Sequence, residues 1–115
     1  MAFSLNTLES DRSVVIEIKG YFDGVAGQSL DAAVDALARK GKTGVILDFG
    51  PCDIINSMGV AALLDILLKV TEDFKGKVVF CGLDTLKRNV FKIAGLFSVA
   101  PEAPDRAQAE KLVSA

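Results

Sequence analysis

Val45-Ile46-Leu47-Asp48-Phe49-Gly50-Pro51-Cys52-Asp53-Ile54-Ile55-Asn56-Ser57-Met58-Gly59-Val60 reads as a buried strand, a short polar loop and the start of a helix. Val45-Ile46-Leu47 is a continuous apolar run, the pattern of a strand covered on both faces. From about Met58 to Phe74 the chain is apolar almost all round, with Val60, Ala61, Leu63, Leu64, Ile66, Leu67, Leu68 and Val70. This segment is expected to be the most buried helix. Ser57 stands where loop becomes helix. A helix start presents unpaired backbone N–H groups and the positive end of the helix dipole. A hydroxyl there can cap the helix, and a phosphate there is stabilised. On its residues alone, Ser57 reads either as a plain N-cap or as a modification site.

Working outward, Phe3 to Leu8 and Ser13 to Ile18 carry alternating or clustered apolar residues with Glu9-Ser10-Asp11-Arg12 between them. They predict two strands in an antiparallel hairpin. Gly20-Tyr21-Phe22-Asp23-Gly24 is a connection. Ala26, Leu30, Ala33, Val34 and Leu37 then recur at helical spacing to about Arg39, and Gly41 and Gly44 end that helix. After the central helix, Lys77 to Cys81 is a β-branched-rich strand. Thr85 or Asp84 caps a helix running to about Ala94, with Val90, Phe91 and Ile93 inward. Phe97-Ser98-Val99 predicts a short last strand. Pro101 and Pro104 break the chain, and Asp105 caps a final helix ending near Val113. The order is ββαβαβα(β)α: an α/β fold, a mixed sheet of four to five strands with about four helices. Strands alternating with helices imply parallel pairing, and the leading hairpin makes the sheet mixed. Residues 1–115 are expected to form a single domain, with no internal repeat or linker.

Composition narrows the function. Half of the 115 residues are apolar and 24% are charged, which excludes a disordered chain. A formal charge of −2 with no Lys/Arg cluster argues against nucleic-acid binding. Histidine is absent, so no Ser-His-Asp or Cys-His site can be built within the chain. There is one Tyr and no Trp, so an aromatic platform for bases is not expected. Cys52 and Cys81 are too few and too far apart for a disulfide framework or a zinc site, and read as reduced thiols near the core. No basic segment followed by an apolar run marks a signal peptide, and Asp65 and Lys69 interrupt the longest apolar stretch before it is long enough to span a membrane. A cytoplasmic location fits. The acids show no metal-cage spacing, and no cofactor is expected.

Two motifs fail. Gly41-Lys42-Thr43 ends like a phosphate-binding loop, but the Gly needed five residues before Gly41 is Ala36, and strand and helix come in the wrong order. Asp48 before Pro51 suggests a receiver-type phospho-acceptor strand, but Ile16-Glu17-Ile18-Lys19 supplies no acid pair for Mg²⁺.

Ile18-Lys19-Gly20-Tyr21-Phe22-Asp23, the strand Val45 to Phe49 and the Asn56-Ser57-Met58-Gly59 loop before an apolar helix together resemble the STAS domain family. The likeness is greatest to its small stand-alone bacterial anti-sigma factor antagonists, and it covers nearly the whole chain. The family pattern at the loop is Asp-Ser-Ser/Thr-Gly, and its first Ser falls on Ser57. The resemblance implies partner switching. Ser57 would be phosphorylated by a serine kinase that is also an anti-sigma factor; the unphosphorylated domain binds that partner and the phosphorylated one is released. A phosphatase is a further expected partner. By the same resemblance Asp23 matches an acidic position that helps kinase recognition, Gly59 matches the glycine that lets the partner approach, and Asn56, Ser57 and Met58 complete the partner-binding set. The module is then a transcription-regulating phosphoprotein rather than an enzyme, a monomer or weak dimer through the Phe3 to Leu8 edge. Asn56 stands where the family usually has Asp, and Met58 where it has a second small hydroxyl residue. Those departures keep open an unphosphorylated STAS subunit of a lipid or anion transport system. A ligand-binding role at the strand ends ranks last.

A phosphate on Ser57 adds roughly −1.5 to −2 charge, with Asp53, Asp48 and Asp23 as expected neighbours. For Asp48 a loop-shaping role and a solvated strand end both stand. Asp23 reads equally as a helix-cap acid or a partner contact. Val60 is expected in the core rather than in a partner patch.

Overall fold

The computed structural model describes residues 3 to 114. β1 (Ser4–Glu9) and β2 (Ser13–Phe22) form the expected antiparallel hairpin, in register from Ser4 opposite Lys19 to Glu9 opposite Val14. β3 (Gly44–Asp48) runs parallel to β2. β4 (Cys52–Ile55) pairs in parallel with the far end of β2, and β5 (Lys77–Cys81) in parallel with β3. The sheet thus has five strands, ordered β1-β2-β3-β5 with β4 beside β2. The helices are α1 (Gly24–Arg39), α2 (Ser57–Leu68), α3 (Thr85–Ile93) and α4 (Arg106–Ser114).

The pleat explains the apolar runs. Val14, Ile16, Ile18, Val45, Leu47, Val78 and Phe80 belong to one core, while their sequence neighbours Val15, Ile46, Val79 and Cys81 belong to a second. Successive side chains point to opposite faces, and both faces are covered, so polar alternation is absent. Leu30 and Val34 of α1, Leu63 and Leu67 of α2, and Phe91 of α3 fill the first core. Ala109 of α4, with Ala103 and Val113, closes the second. Phe22, Phe49, Phe80 and Phe91 are fully buried. Each contributes roughly 1.5–3 kcal/mol through the area it removes from water. Phe49 and Phe91 meet edge to face at 5.4 Å. Cys52 and Cys81 are both free and buried.

Several expectations are corrected. β4 lies where only a polar loop was expected. β2 outruns β3, and its register shifts between Gly20 and Tyr21, where Gly20 has φ 89°. Tyr21 and Phe22 then pair with Ile54 and Ile55. A four-residue strand containing Asp53 carries too little alternation to be seen beforehand. The last strand expected at Phe97-Ser98-Val99 is instead a 3₁₀ turn, Leu96–Ser98, entered through Gly95 at φ 80°. Phe97 packs edge-on to Phe80 there at 6.2 Å. The helix expected to reach Phe74 ends as α-helix at Leu68 and continues as a π turn, Lys69–Asp73. In that turn the Thr71 hydroxyl donates to the Leu67 carbonyl at 2.8 Å. Nor is α2 the most buried helix. It buries Gly59, Leu63, Ile66 and Leu67, whereas α1 buries Ala26, Gly27, Leu30, Val34, Leu37 and Ala38. The outer face of α2 leaves Met58 and Leu68 exposed. Asp84, not Thr85, caps α3, accepting from the Lys87 N–H at 2.8 Å. Asp105 caps α4 through the Gln108 N–H at 2.8 Å.

Candidate functional site at the start of α2

The cap of α2 is Asn56, not Ser57. Asn56 has extended backbone geometry, and its Oδ1 accepts the Gly59 N–H at 2.9 Å. Both residues are good cap formers, but Asn56 sits at the last extended position, so its side chain reaches the free N–H groups first. Ser57 becomes the first helical residue. It is exposed, and its hydroxyl has no hydrogen-bond partner among the described residues.

The loop is stitched to β2. The Asn56 N–H donates to the Phe22 carbonyl at 3.2 Å, and Asn56 Nδ2 donates to the Tyr21 hydroxyl at 3.0 Å. Gly59 is buried. A Cβ there would lie 2.4 Å from the Phe22 carbonyl oxygen and 2.8 Å from Phe22 Cδ2. The close approach that Gly59 permits within this chain is therefore to β2.

Asp23 caps the neighbouring helix, its Oδ1 accepting the Ala26 N–H at 2.9 Å. The two helix starts adjoin: a Cβ on Gly24 would be 3.3 Å from the Met58 Cβ. Further along, a Cβ on Gly27 would be 2.4 Å from that of Ala62, so the helices cross with their backbones close together. The geometry thus brings Asp23, Asn56, Ser57, Met58 and Gly59 to one end of the molecule. Met58 is itself 64% exposed, and Val25 and Ile54, near these residues in the chain, are 72% and 49% exposed. Val60 is half-buried and packs against the main core.

Asp48 is committed elsewhere. Its Oδ1 accepts the Gly50 N–H at 2.9 Å, which shapes the turn after β3. Its Oδ2 accepts from Arg106 Nε at 2.9 Å, and the same guanidinium pairs with Glu17. Hydrogen bonds from Asn6 and then Arg106 hold the Glu17 carboxyl below its ordinary value. Its carboxylate partners hold Arg106 charged, Asp48 first. Asp53 is exposed, and its carbonyl accepts from Lys87 Nζ at 3.5 Å. Lys87 is buried and pairs with Asp84 at 2.9 Å. Sequence reasoning singled out none of Tyr21, Lys87 and Arg106 as site or anchoring residues. Tyr21 and Arg106 act through partners distant in sequence, and Lys87 joins its near neighbour Asp84 to the distant Asp53 carbonyl, a link that no local pattern marks.

Among the described residues no group of three or more His, Cys, Asp or Glu is placed to hold a metal ion. No described helix is long and apolar enough to cross a membrane. A cavity of about 570 Å³, open to solvent, is lined by Ser13, Gly44 and Lys77 at the amino ends of the parallel strands. Ser57 lies beyond the carboxyl end of β4.

An exposed, uncommitted hydroxyl thus stands at a helix start of an α/β scaffold, with exposed apolar residues near it in the chain. The chain belongs to the STAS domain family, whose profile matches residues 4–109. It is 31% identical over 96 residues to BtrV, a Bordetella bronchiseptica protein assigned as an anti-sigma factor antagonist, covering 84% of this chain and 82% of that one. Its fold is similar to that of the anti-sigma factor antagonist SpoIIAA in its unphosphorylated form, with TM-score 0.73, 23% identity and 98% of each chain covered. SpoIIAA from Bacillus in its phosphorylated form gives TM-score 0.71 and 23% identity over 96% of this chain and 99% of that one. An anti-sigma factor antagonist from Mycobacterium paratuberculosis gives TM-score 0.84 at 18% identity, covering 99% and 96%. The chain is an anti-sigma factor antagonist-like STAS protein.

Proposed function

We propose that this chain is a single regulatory domain that binds an anti-sigma factor through the end of the molecule holding Ser57, and that phosphorylation of Ser57 releases it. The observation that carries this reading is the division of labour at α2. Asn56 supplies the cap, so the Ser57 hydroxyl is exposed and spent on nothing. A phosphate there gains about 0.3–1 kcal/mol from the helix dipole and finds free N–H groups. The fold therefore tolerates the modification. A partner docked on Met58, Val25 and Ile54 does not: a new double charge pressed onto apolar or acidic surface changes affinity by orders of magnitude. The partner is a serine kinase that is also an anti-sigma factor, a phosphatase resets the switch, and the module acts in the cytoplasm of a bacterium without catalysis of its own. Local electrostatics suffices, with no large change of shape. SpoIIAA, described in both phosphorylated and unphosphorylated forms, supports the reading by analogy of fold.

The test is genetic. Chromosomal Ser57→Ala and Ser57→Asp strains are compared by transcript profiling. The reading expects opposite changes in one shared set of genes, with Ser57→Ala turning that set on. Identical profiles for the two strains, or changes confined to membrane lipid or anion uptake, contradict it.

A further inference from the structure

The bond between Asn56 and Tyr21 has a fixed polarity. Asn56 Oδ1 is held by the Gly59 N–H at 2.9 Å, so the atom facing Tyr21 at 3.0 Å is Nδ2, a donor. Tyr21 must accept there. Its own O–H is consequently directed to something else, and no group among the described residues takes that proton. Tyr21 is half-buried, at the point where β2 pairs with β4, and its hydroxyl is hydrogen-bonded to the side chain of the residue that precedes Ser57. An aspartate at position 56 would invert this. A carboxylate only accepts, so Tyr21 would have to spend its proton on it.

We propose that Tyr21 is a specificity-determining residue of the Ser57 site: it selects the neutral amide at position 56 and offers its hydroxyl proton to a phosphoryl oxygen on Ser57. This rests on the reading of Ser57 as a phosphoryl acceptor. The Asn56–Tyr21 pair changes what a phosphate meets. It removes a negative charge from the residue beside Ser57 and adds one neutral donor. Both favour the doubly charged phosphate over the singly charged one. Tyr21 thereby tunes how firmly the modified state is held, while the helix cap stays in place.

The test uses the full chain with phosphoserine installed at residue 57 by genetic encoding, so no kinase is needed. Phosphorus NMR follows the second ionisation of the phosphate, near pH 6 in an unperturbed phosphoserine. The expected result is an ionisation ~0.5 unit or more lower in the parent chain than in Tyr21→Phe, the hydrogen bond to the dianion being lost in the variant. Asn56→Asp moves it the same way and further. The Raman tyrosine doublet gives a second readout, free of ambiguity because the chain has one Tyr. It is expected to pass from an acceptor to a donor signature when Ser57 is phosphorylated. If Tyr21→Phe does not fold, the doublet of the parent chain decides. Coincident phosphate titrations in parent and Tyr21→Phe, or an unchanged doublet, overturn the proposal. Neither result bears on whether a host kinase acts on Ser57, so the two readings fail separately.

Discussion

At Asn56 a single amide carries the helix cap at 2.9 Å and the link to Tyr21 at 3.0 Å, while the serine beside it carries neither. Stability and switching are thereby assigned to different side chains. Ser57→Ala is expected to leave stability within about 0.5 kcal/mol, as for an exposed residue without partners. Asn56→Ala is expected to cost about 1 kcal/mol through the lost cap. Urea unfolding of the two variants checks both. Gly59→Ala behaves differently from either, because its Cβ has nowhere to go: the Phe22 carbonyl oxygen is 2.4 Å away. The α2 start must shift, at a cost of about 1–3 kcal/mol. A Gly59→Ala variant as stable as the parent in the same assay contradicts the close packing of α2 on β2.

At the scale of elements, α4 is the sole helix among the described residues that supplies the second core, and Arg106 fastens it. Arg106 joins Asp48 at the end of β3 to Glu17 in β2. Beneath α4, burial first, then the charge of Asp48, pushes the Cys81 thiol up to about 11. Arg106→Ala is expected to loosen α4 and speed alkylation of Cys81, with Cys52 on the other face unchanged; peptide mass spectrometry separates the two. Equal protection of Cys81 in parent and variant argues that apolar packing alone holds α4. The acid side follows the same elements. Glu17 is held below its ordinary value of 4.5 by Asn6 and then Arg106. Asp35, by Arg39, and Asp84, by Lys87, are held below 3.8. A carboxyl depressed in the folded state stabilises it above the unfolded value and stops doing so as pH falls through the folded value. Urea midpoints are therefore expected to drop on acidification below those ordinary values, and Arg106→Ala to flatten part of that dependence. Asp84 is exposed and Glu17 and Asp35 are partly so, and solvent screening keeps the slope shallow.

At the scale of the whole molecule, the layers follow from runs that are legible in one dimension. Val45-Ile46-Leu47 and Val78-Val79-Phe80-Cys81 lack polar alternation because α1 and α2 cover one face and α4 the other. The position of Ser57 at a helix start is legible to within one residue; Asn and Ser cap equally well, so which of them does so depends on where the backbone turns. β4 is not legible, since a four-residue strand exists only because the bulge in β2 leaves Tyr21 and Phe22 to be paired. Nor are the tertiary anchors. Tyr21 meets Asn56 across 35 residues of sequence, and Arg106 meets Asp48 across 58 and Glu17 across 89. Contacts at such separation leave no periodicity to read. The central claim concerns a covalent change at one atom, so it is tested most directly by peptide mass spectrometry of the protein isolated from its host during growth and under stress. The account predicts a phosphate on the peptide carrying Ser57, at an occupancy that differs between the two conditions. A Ser57 peptide unmodified in both would contradict it and leave a constitutive binder or transport subunit.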